Sequence, residues 1–132
     1  MIGGLSDWGI DSLMNVSQPE ELRERTKQFA IRIVMLFRSL PKTDDARVLG
    51  KQVLRSGTSV AANYRAVCRA RSKAEFVSKM GVVVEEADET VFWLELIAET
   101  GIVAKQRMQD LLQEANELLR LFVASRETAK TR

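Results

Sequence analysis

The sequence predicts an all-α fold, a single-domain antiparallel up-down four-helix bundle. Only two of the 132 residues are proline, and no segment shows the alternation of apolar and polar residues that is typical of strands. Four segments instead carry apolar residues at helical spacing. The connections between these segments are short, and short connections favour antiparallel neighbouring helices.

The first predicted helix begins near Pro19, because proline is favoured in the first turn of a helix. Ser17 and Glu20 have the spacing of a capping box, in which two side chains bond free backbone N–H groups. Pro41 ends the helix. The apolar stripe of this helix is Leu22, Phe29, Ile33, Leu36, Phe37 and Leu40.

The second predicted helix begins at a cap formed by Thr43 or Asp44 and runs to about Ala70. The spacing of apolar residues defines the side of this helix that faces the core. Small and polar residues, mostly mediocre helix formers, lie among the apolar residues of that side. We interpret them as a tight, hydrogen-bonded helix crossing, because buried polar side chains need partners. The alternative is a partly exposed, poorly packed turn. The residues assigned to the crossing are Arg55, Ser56, Gly57, Ser59 and Asn63.

The third predicted helix opens with a capping box of Ser72 and Glu75 and ends near Gly101. Its core stripe is Phe76, Met80, Val83, Ala87, Val91, Leu94 and Ala98. The fourth helix spans about residues 104–126, with a stripe of Met108, Leu111, Leu112, Ala115, Leu119, Phe122 and Val123.

The predicted domain organisation has three parts. Residues 1–16 show no sustained period and are predicted to be a flexible N-terminal arm. Residues 17–127 form the four-helix bundle. Residues 128–132 are predicted to be a frayed C-terminal tail.

The composition excludes several classes of protein. The chain has no histidine, which removes Ser-His-Asp and Cys-His nucleophile systems and histidine-containing metal sites. Its single cysteine, Cys68, excludes an intrachain disulfide and fits a reducing cytoplasm. The sequence shows no basic leader of the kind that directs export. It also shows no apolar run of about 20 residues, the length needed to span a membrane. We therefore expect a cytoplasmic, non-enzymatic protein without a cofactor or metal.

The third predicted helix carries a second apolar surface on its outer side, surrounded by acidic residues. Exposed apolar clusters usually mark contacts, so this face is predicted to be an intersubunit surface. The alternative is an ordinary exposed face. The candidate interface residues are Val82, Glu86, Glu89, Phe92, Trp93 and Leu96.

The acidic residues of the same helix allow another interpretation. The pairs Glu85/Glu89 and Glu95/Glu99 are four residues apart, a spacing that could hold a metal or supply acid–base chemistry. Cations are abundant on helix two, however, and a solvated or salt-bridged acidic face is the more frequent case. We therefore favour the charged face without a metal.

The positive charge of the chain is concentrated in one segment. The net charge of the chain is +2, whereas residues 47–79 hold eight basic residues and one acid, a net charge of +7. In a symmetric oligomer each subunit would present this segment, and the combined positive charge would attract phosphate backbones. The other interpretation, which stays open, is that these cations pair with the acids of helix three. The candidate nucleic-acid-binding residues are Arg47, Lys51, Arg65, Arg69, Arg71 and Lys73.

Two stretches carry a resemblance to a known family: QVLRSGTSVAANYRAVCRARSKAEF and EEADETVFWLELIAETGIV. The chain resembles the four-helix-bundle proteins encoded in 23S rRNA intervening sequences and their relatives, although Ala66 stands where members commonly have Glu. The resemblance implies a left-handed bundle that assembles into a ring-like homopentamer. It also implies a relation to accessory proteins of diversity-generating retroelements, which bind nucleic acid and a reverse transcriptase.

Two functions are consistent with these features. The first is an oligomeric scaffold or adaptor that binds RNA or DNA, or a nucleic-acid enzyme, through the basic face of helix two. The alternative is a protein–protein interaction module for a partner encoded nearby, with charges that serve only assembly. Neither a small-molecule substrate nor a membrane partner is indicated.

Overall fold

The computed structural model describes residues 18–132, which form four α-helices and no strand. The predicted all-α class, the number of helices and the single domain are confirmed. The predicted N-terminal arm and the cap at Ser17 lie outside the described residues. The helices are α1 Gln18–Ser39, α2 Asp44–Cys68, α3 Lys73–Glu99 and α4 Lys105–Thr131.

Side-chain caps fix the start of the two middle helices. The Thr43 hydroxyl accepts a hydrogen bond from the Ala46 N–H at 3.4 Å at the start of α2. The Ser72 hydroxyl accepts one from the Glu75 N–H at 3.0 Å at the start of α3. Each bond satisfies a backbone donor that has no partner inside the helix. These caps set the points at which the chain turns back on the preceding helix.

The last helix is longer than the sequence predicted. It continues to Thr131, through the segment 128–132 that was expected to fray. The reason lies in Ala129, which is completely buried and continues the core face of α4 by one more turn. Burial of this side chain against the rest of the domain holds the helix in place.

Consecutive helices pack against each other, and α4 also contacts α1. The core lies between them and includes Tyr64 and Phe122, whose ring centroids are 5.7 Å apart. All seven residues of the stripe predicted for the third helix are buried. The largest fully buried side chains are Tyr64, Phe29, Phe76, Phe122, Ile33, Met80, Leu94, Ile97, Met108, Leu118 and Val53.

The predicted core of α4 needs one correction. Val123, placed in the stripe from the sequence, is 41% exposed, whereas Leu118 is buried. The buried positions of α4 recur at intervals of three and four residues, which is the helical period. The sequence offered a Leu at both 118 and 119, and the contacts of α4 with α3 and α1 decided which of the two faces inward.

An ion pair links α1 to α4. The Arg25 guanidinium donates Nε and Nη2 to the two oxygens of the Glu114 carboxylate, at 2.8 and 2.7 Å, and Nη2 also lies 2.8 Å from the carboxylate of Glu117. This arrangement lowers the pKa of Glu114, chiefly through the hydrogen bond from Arg25. Such bidentate, charge-assisted pairs are stronger than ordinary surface pairs.

The Arg25–Glu114 pair predicts a pH dependence of stability. Because the pKa of Glu114 is lower in the folded state, its contribution is present above the unfolded pKa, about 4.3, and is lost as the pH falls through the folded value. Glu114→Gln should lower the free energy of unfolding by about 1 kcal/mol at neutral pH, and by less in acid. Urea unfolding at several pH values measures this difference. The exposed Glu85→Gln serves as the control, and a difference independent of pH would contradict the prediction.

The hydroxyl of Tyr64 is buried beside the thiol of Cys68, a weak hydrogen-bonding group, and has no other hydrogen-bond partner among residues 18–132. Burial raises the pKa of this phenol. An unsatisfied buried hydroxyl costs about 1–3 kcal/mol, so Tyr64→Phe should leave stability unchanged or raise it by about 1 kcal/mol. Tyr64→Ala, which also removes the ring packed on Phe122, should lower it by about 3–5 kcal/mol. Chemical denaturation distinguishes the two, and a marked loss of stability in Tyr64→Phe would contradict this view.

Candidate nucleic-acid interface

The small residues in the middle of α2 bring this helix close to both of its neighbours. A Cβ atom at Gly57 would lie 2.8 Å from Cγ1 of Ile33 in α1, closer than such atoms approach. On the adjacent position, the Ser56 hydroxyl lies 2.9 Å from the hydroxyl of Thr90 in α3. Gly57 therefore provides the close approach to α1, and Ser56 the polar contact with α3.

The remaining residues assigned to the crossing have other roles. The Asn63 side chain donates to the backbone carbonyl of Ser59 at 2.9 Å, within α2, and both residues are only partly buried. The exposed Arg55 pairs with Glu86 at 3.4 Å and with Glu89. Of the five residues, Ser56, Gly57 and Arg55 thus contact neighbouring helices, whereas the hydrogen bond between Asn63 and Ser59 lies within α2.

The carboxylate of Glu89 connects Arg55 to the outer face of α3. It accepts a hydrogen bond from Nε1 of Trp93 at 3.0 Å, in addition to its ion pair with Arg55. The Trp93 ring packs edge-on against Phe92, with centroids 4.9 Å apart. Both acids assigned to the intersubunit face, Glu86 and Glu89, therefore have partners inside the subunit.

The apolar residues of this face remain accessible in the single chain. Phe92 is 50% exposed and Val82 is 41% exposed, while Trp93 and Leu96 are partly buried. We call these four residues the α3 apolar face. Trp93 and Leu96 lie close to Phe92 along α3, and Val82 lies about 15 Å before it on the same helix. Exposed apolar side chains that cluster in this way usually contact another molecule.

The six candidate nucleic-acid-binding residues do not share one environment. Arg47 pairs with Asp44 at 2.9 Å, and Lys73 is partly buried beside Arg126 and Lys130 of α4. The side chains of the others are exposed, and none forms an ion pair with a residue of the range 18–132. These four are Lys51, Arg65, Arg69 and Arg71.

Two of these exposed cations meet a second pair of cations from α1. Arg65 and Arg69 line a groove between α1 and α2 with a volume of about 380 Å³. The groove is floored by alanines, and no acidic side chain lines it. We call it the α1–α2 groove. Its lining is Arg23, Lys27, Ala30, Ala61, Ala62, Arg65 and Arg69.

The two cations that α1 contributes to this groove were not predicted from the sequence. Arg23 and Lys27 lie outside the +7 segment, in a helix that also carries several acids. Their four-residue spacing places both on one side of α1, which was the available signal. Only the packing of α1 on α2 shows that this side is next to Arg65 and Arg69.

The positive charge of the groove extends into the domain. Burial raises the pKa of the Cys68 thiol, and the charges of Arg23, Arg69 and Arg65 oppose this rise, since each favours the thiolate. Cys68 is buried, and its thiol donates weakly to the Pro19 carbonyl at 3.9 Å. Three of the four groove cations thus act on the same buried group.

Two further features of the described residues bear on chemistry. In residues 18–132, no group of three or more acidic or cysteine side chains is arranged to hold a metal ion. Within the same range, no helix combines the length and apolar character needed to span a lipid bilayer.

Comparison with known proteins identifies relatives over most of the chain. The model of the family described as 23S rRNA-intervening sequence protein matches residues 20–124. The crystal structure of a protein with unknown function from the S23 ribosomal protein family of Bacteroides thetaiotaomicron is 32% identical, with a TM-score of 0.76. The similarity covers 83% of this chain and 97% of that one. No curated protein matches the chain significantly.

Proposed function

The chain belongs to the 23S rRNA-intervening sequence protein family, and on that premise we propose that it is a non-enzymatic, cytoplasmic oligomeric scaffold that binds RNA or DNA. The observation that carries this proposal is the α1–α2 groove, where four cations from two helices lie together without a lining acid. A phosphate backbone is the partner that such an arrangement favours, because it offers regularly spaced negative charge.

The composition of the groove supports binding to the backbone rather than to bases. Its lining contains arginine, lysine and alanine only. There is no aromatic side chain on which an unpaired base could stack, and no asparagine or glutamine that could read an adenine edge. We therefore propose binding that depends little on nucleotide sequence and strongly on salt.

The finer architecture of the scaffold is also a proposal. The contacts of consecutive helices, together with the Arg25–Glu114 pair between the first and last, support an antiparallel up-down bundle, and its left-handed turn is proposed from the family resemblance. The α3 apolar face supports association of identical subunits, since Phe92 is half exposed in the single chain. We propose a ring-like homopentamer, following the family resemblance. Symmetry would repeat the groove in each subunit.

Fluorescence anisotropy with labelled RNA and DNA of mixed sequence tests the proposal. We expect binding at low salt to both nucleic acids, weakening linearly on a plot of log affinity against log salt concentration. Mixed-sequence and homopolymer probes should bind within a few-fold of each other. Absence of binding to either nucleic acid at low salt would contradict the proposal.

Ion pairs within the subunit favour the alternative, a protein–protein module in which charge serves assembly. Arg47 and Arg55 both pair with acids of their own chain. Under this alternative, neutralising Arg65 and Arg69 would change the oligomer mass or stability, whereas nucleic acid would not bind. Mass measurement of Arg65→Gln/Arg69→Gln in parallel with the anisotropy assay separates the two functions.

A further inference from the structure

We infer that the α1–α2 groove holds two consecutive phosphates of one nucleic-acid strand, clamped between Arg23 and Lys27 on one side and Arg65 and Arg69 on the other. This inference rests on the proposed nucleic-acid binding, and it goes beyond it by assigning half of the site to α1. It also specifies the class and size of the group bound: a pair of backbone phosphodiesters.

The spacing of the cations is the first argument. Arg23 and Lys27 are four residues apart on α1, and Arg65 and Arg69 are four residues apart on α2. Four residues of helix rise about 6 Å, which is comparable to the distance between neighbouring phosphates along a strand. Each helix therefore offers one cation to each of two phosphates.

The second argument is the floor of the groove. Ala30 comes from α1, and Ala61 and Ala62 come from α2. Methyl side chains leave the space between the helices open, so that a strand can settle between the two rows of cations. Longer side chains at these positions would fill the groove, and a carboxylate would neutralise it.

The four groove cations are also free of ion pairs: none of Arg23, Lys27, Arg65 and Arg69 forms one with a residue of the range 18–132. This contrasts with Arg55 on the same helix, which pairs with two acids of α3. Like charges four residues apart on a helix repel each other, and a bound polyanion would relieve the repulsion in both rows.

The salt dependence of nucleic-acid affinity, measured for two groove variants, tests this inference. Each phosphate contact contributes a slope of about 0.7–0.9 to the plot of log affinity against log salt. The two phosphates of the groove together contribute about 1.4–1.8 to the slope, so Arg65→Gln/Arg69→Gln and Arg23→Gln/Lys27→Gln should each reduce the slope by up to this amount, and their combination by no more than it. Each should also weaken binding at low salt at least tenfold. Arg65→Lys/Arg69→Lys, which keeps the charge, should retain the slope of the native chain.

Two matched controls remove the same charge elsewhere. Arg38→Gln/Lys42→Gln neutralises two exposed residues at the end of α1 and in the connection to α2, which do not line the groove, and Lys105→Gln/Arg107→Gln neutralises two exposed residues of α4. Both should change the slope by less than half as much as the groove variants. Thermal denaturation with circular dichroism verifies that every variant is folded, which is expected because all the changed side chains are at least partly exposed.

The outcomes separate the inference from the function on which it rests. If the native chain binds and the groove variants bind equally well, the inference is overturned and nucleic-acid binding stands at another surface. If the controls lose as much slope as the groove variants, binding is diffuse and the inference is likewise overturned. If Arg65→Gln/Arg69→Gln lowers the slope and Arg23→Gln/Lys27→Gln does not, α1 takes no part in binding and the inference is overturned. Absence of binding by the native chain overturns both proposals.

Discussion

Phe92→Glu is expected to convert the proposed oligomer into a folded monomer with the mass of one chain, 14.9 kDa. Phe92 is half exposed in the single subunit, at the centre of the α3 apolar face. Burial of a phenylalanine contributes about 1.5–3 kcal/mol, and a carboxylate buried without a partner costs several kcal/mol more. Because each factor of ten in affinity corresponds to about 1.4 kcal/mol, association should weaken at least a thousandfold.

Sedimentation or light scattering at micromolar concentration measures this change. The matched control is Ile31→Glu, which places the same charge on an exposed apolar position of α1 and should leave the mass unchanged. The helical circular dichroism signal should be the same in both variants, since neither side chain belongs to the core. A native chain that is monomeric, or a Phe92→Glu variant that keeps its oligomeric mass, would contradict the predicted interface.

Gly57→Leu should destabilise the packing of α2 against α1. Even a Cβ atom at this position would lie 2.8 Å from Cγ1 and 3.0 Å from Cγ2 of Ile33, a completely buried and β-branched residue that cannot rotate away easily. Overpacking of a core costs about 1–3 kcal/mol and occasionally more. We expect a loss of about 3 kcal/mol, a large part of the 5–15 kcal/mol of a typical domain. Urea unfolding provides the measurement.

Gly81→Ala offers a matched control in another helix. A Cβ atom there would approach the guanidinium of Arg126 at 3.1 Å, a contact that a shift of a few tenths of an ångström in this long side chain relieves while Nε keeps its hydrogen bond to the Val77 carbonyl. Since alanine is the better helix former by about 1 kcal/mol, this variant should be as stable as the native chain or more so. In the Gly57→Leu background, Ile33→Ala should cost less than it does alone, because it makes room for the new side chain. An undiminished stability of Gly57→Leu would show that α1 and α2 are not in close contact.

Arg55 and Arg65 show where prediction from the sequence reached its limit. Both lie on the same side of α2 by helical spacing, and both were part of one basic segment. In the structure, Arg55 is next to the acids of α3, whereas Arg65 lies above the alanine floor between α1 and α2. The spacing along one helix defines a face, but the charges that surround this face come from other helices.

The sequence by itself determined the four helices, the capped starts of α2 and α3 and the buried stripe of α3, because these depend on local hydrogen bonds and on the spacing of apolar residues along one chain segment. Only the tertiary structure decided that Gly57 approaches Ile33, that Leu118 rather than Val123 is buried, and that Arg23 and Lys27 join Arg65 and Arg69. These features are set by the relative position and rotation of two helices. Packing of all four helices fixes that geometry, and no single stretch of sequence encodes it.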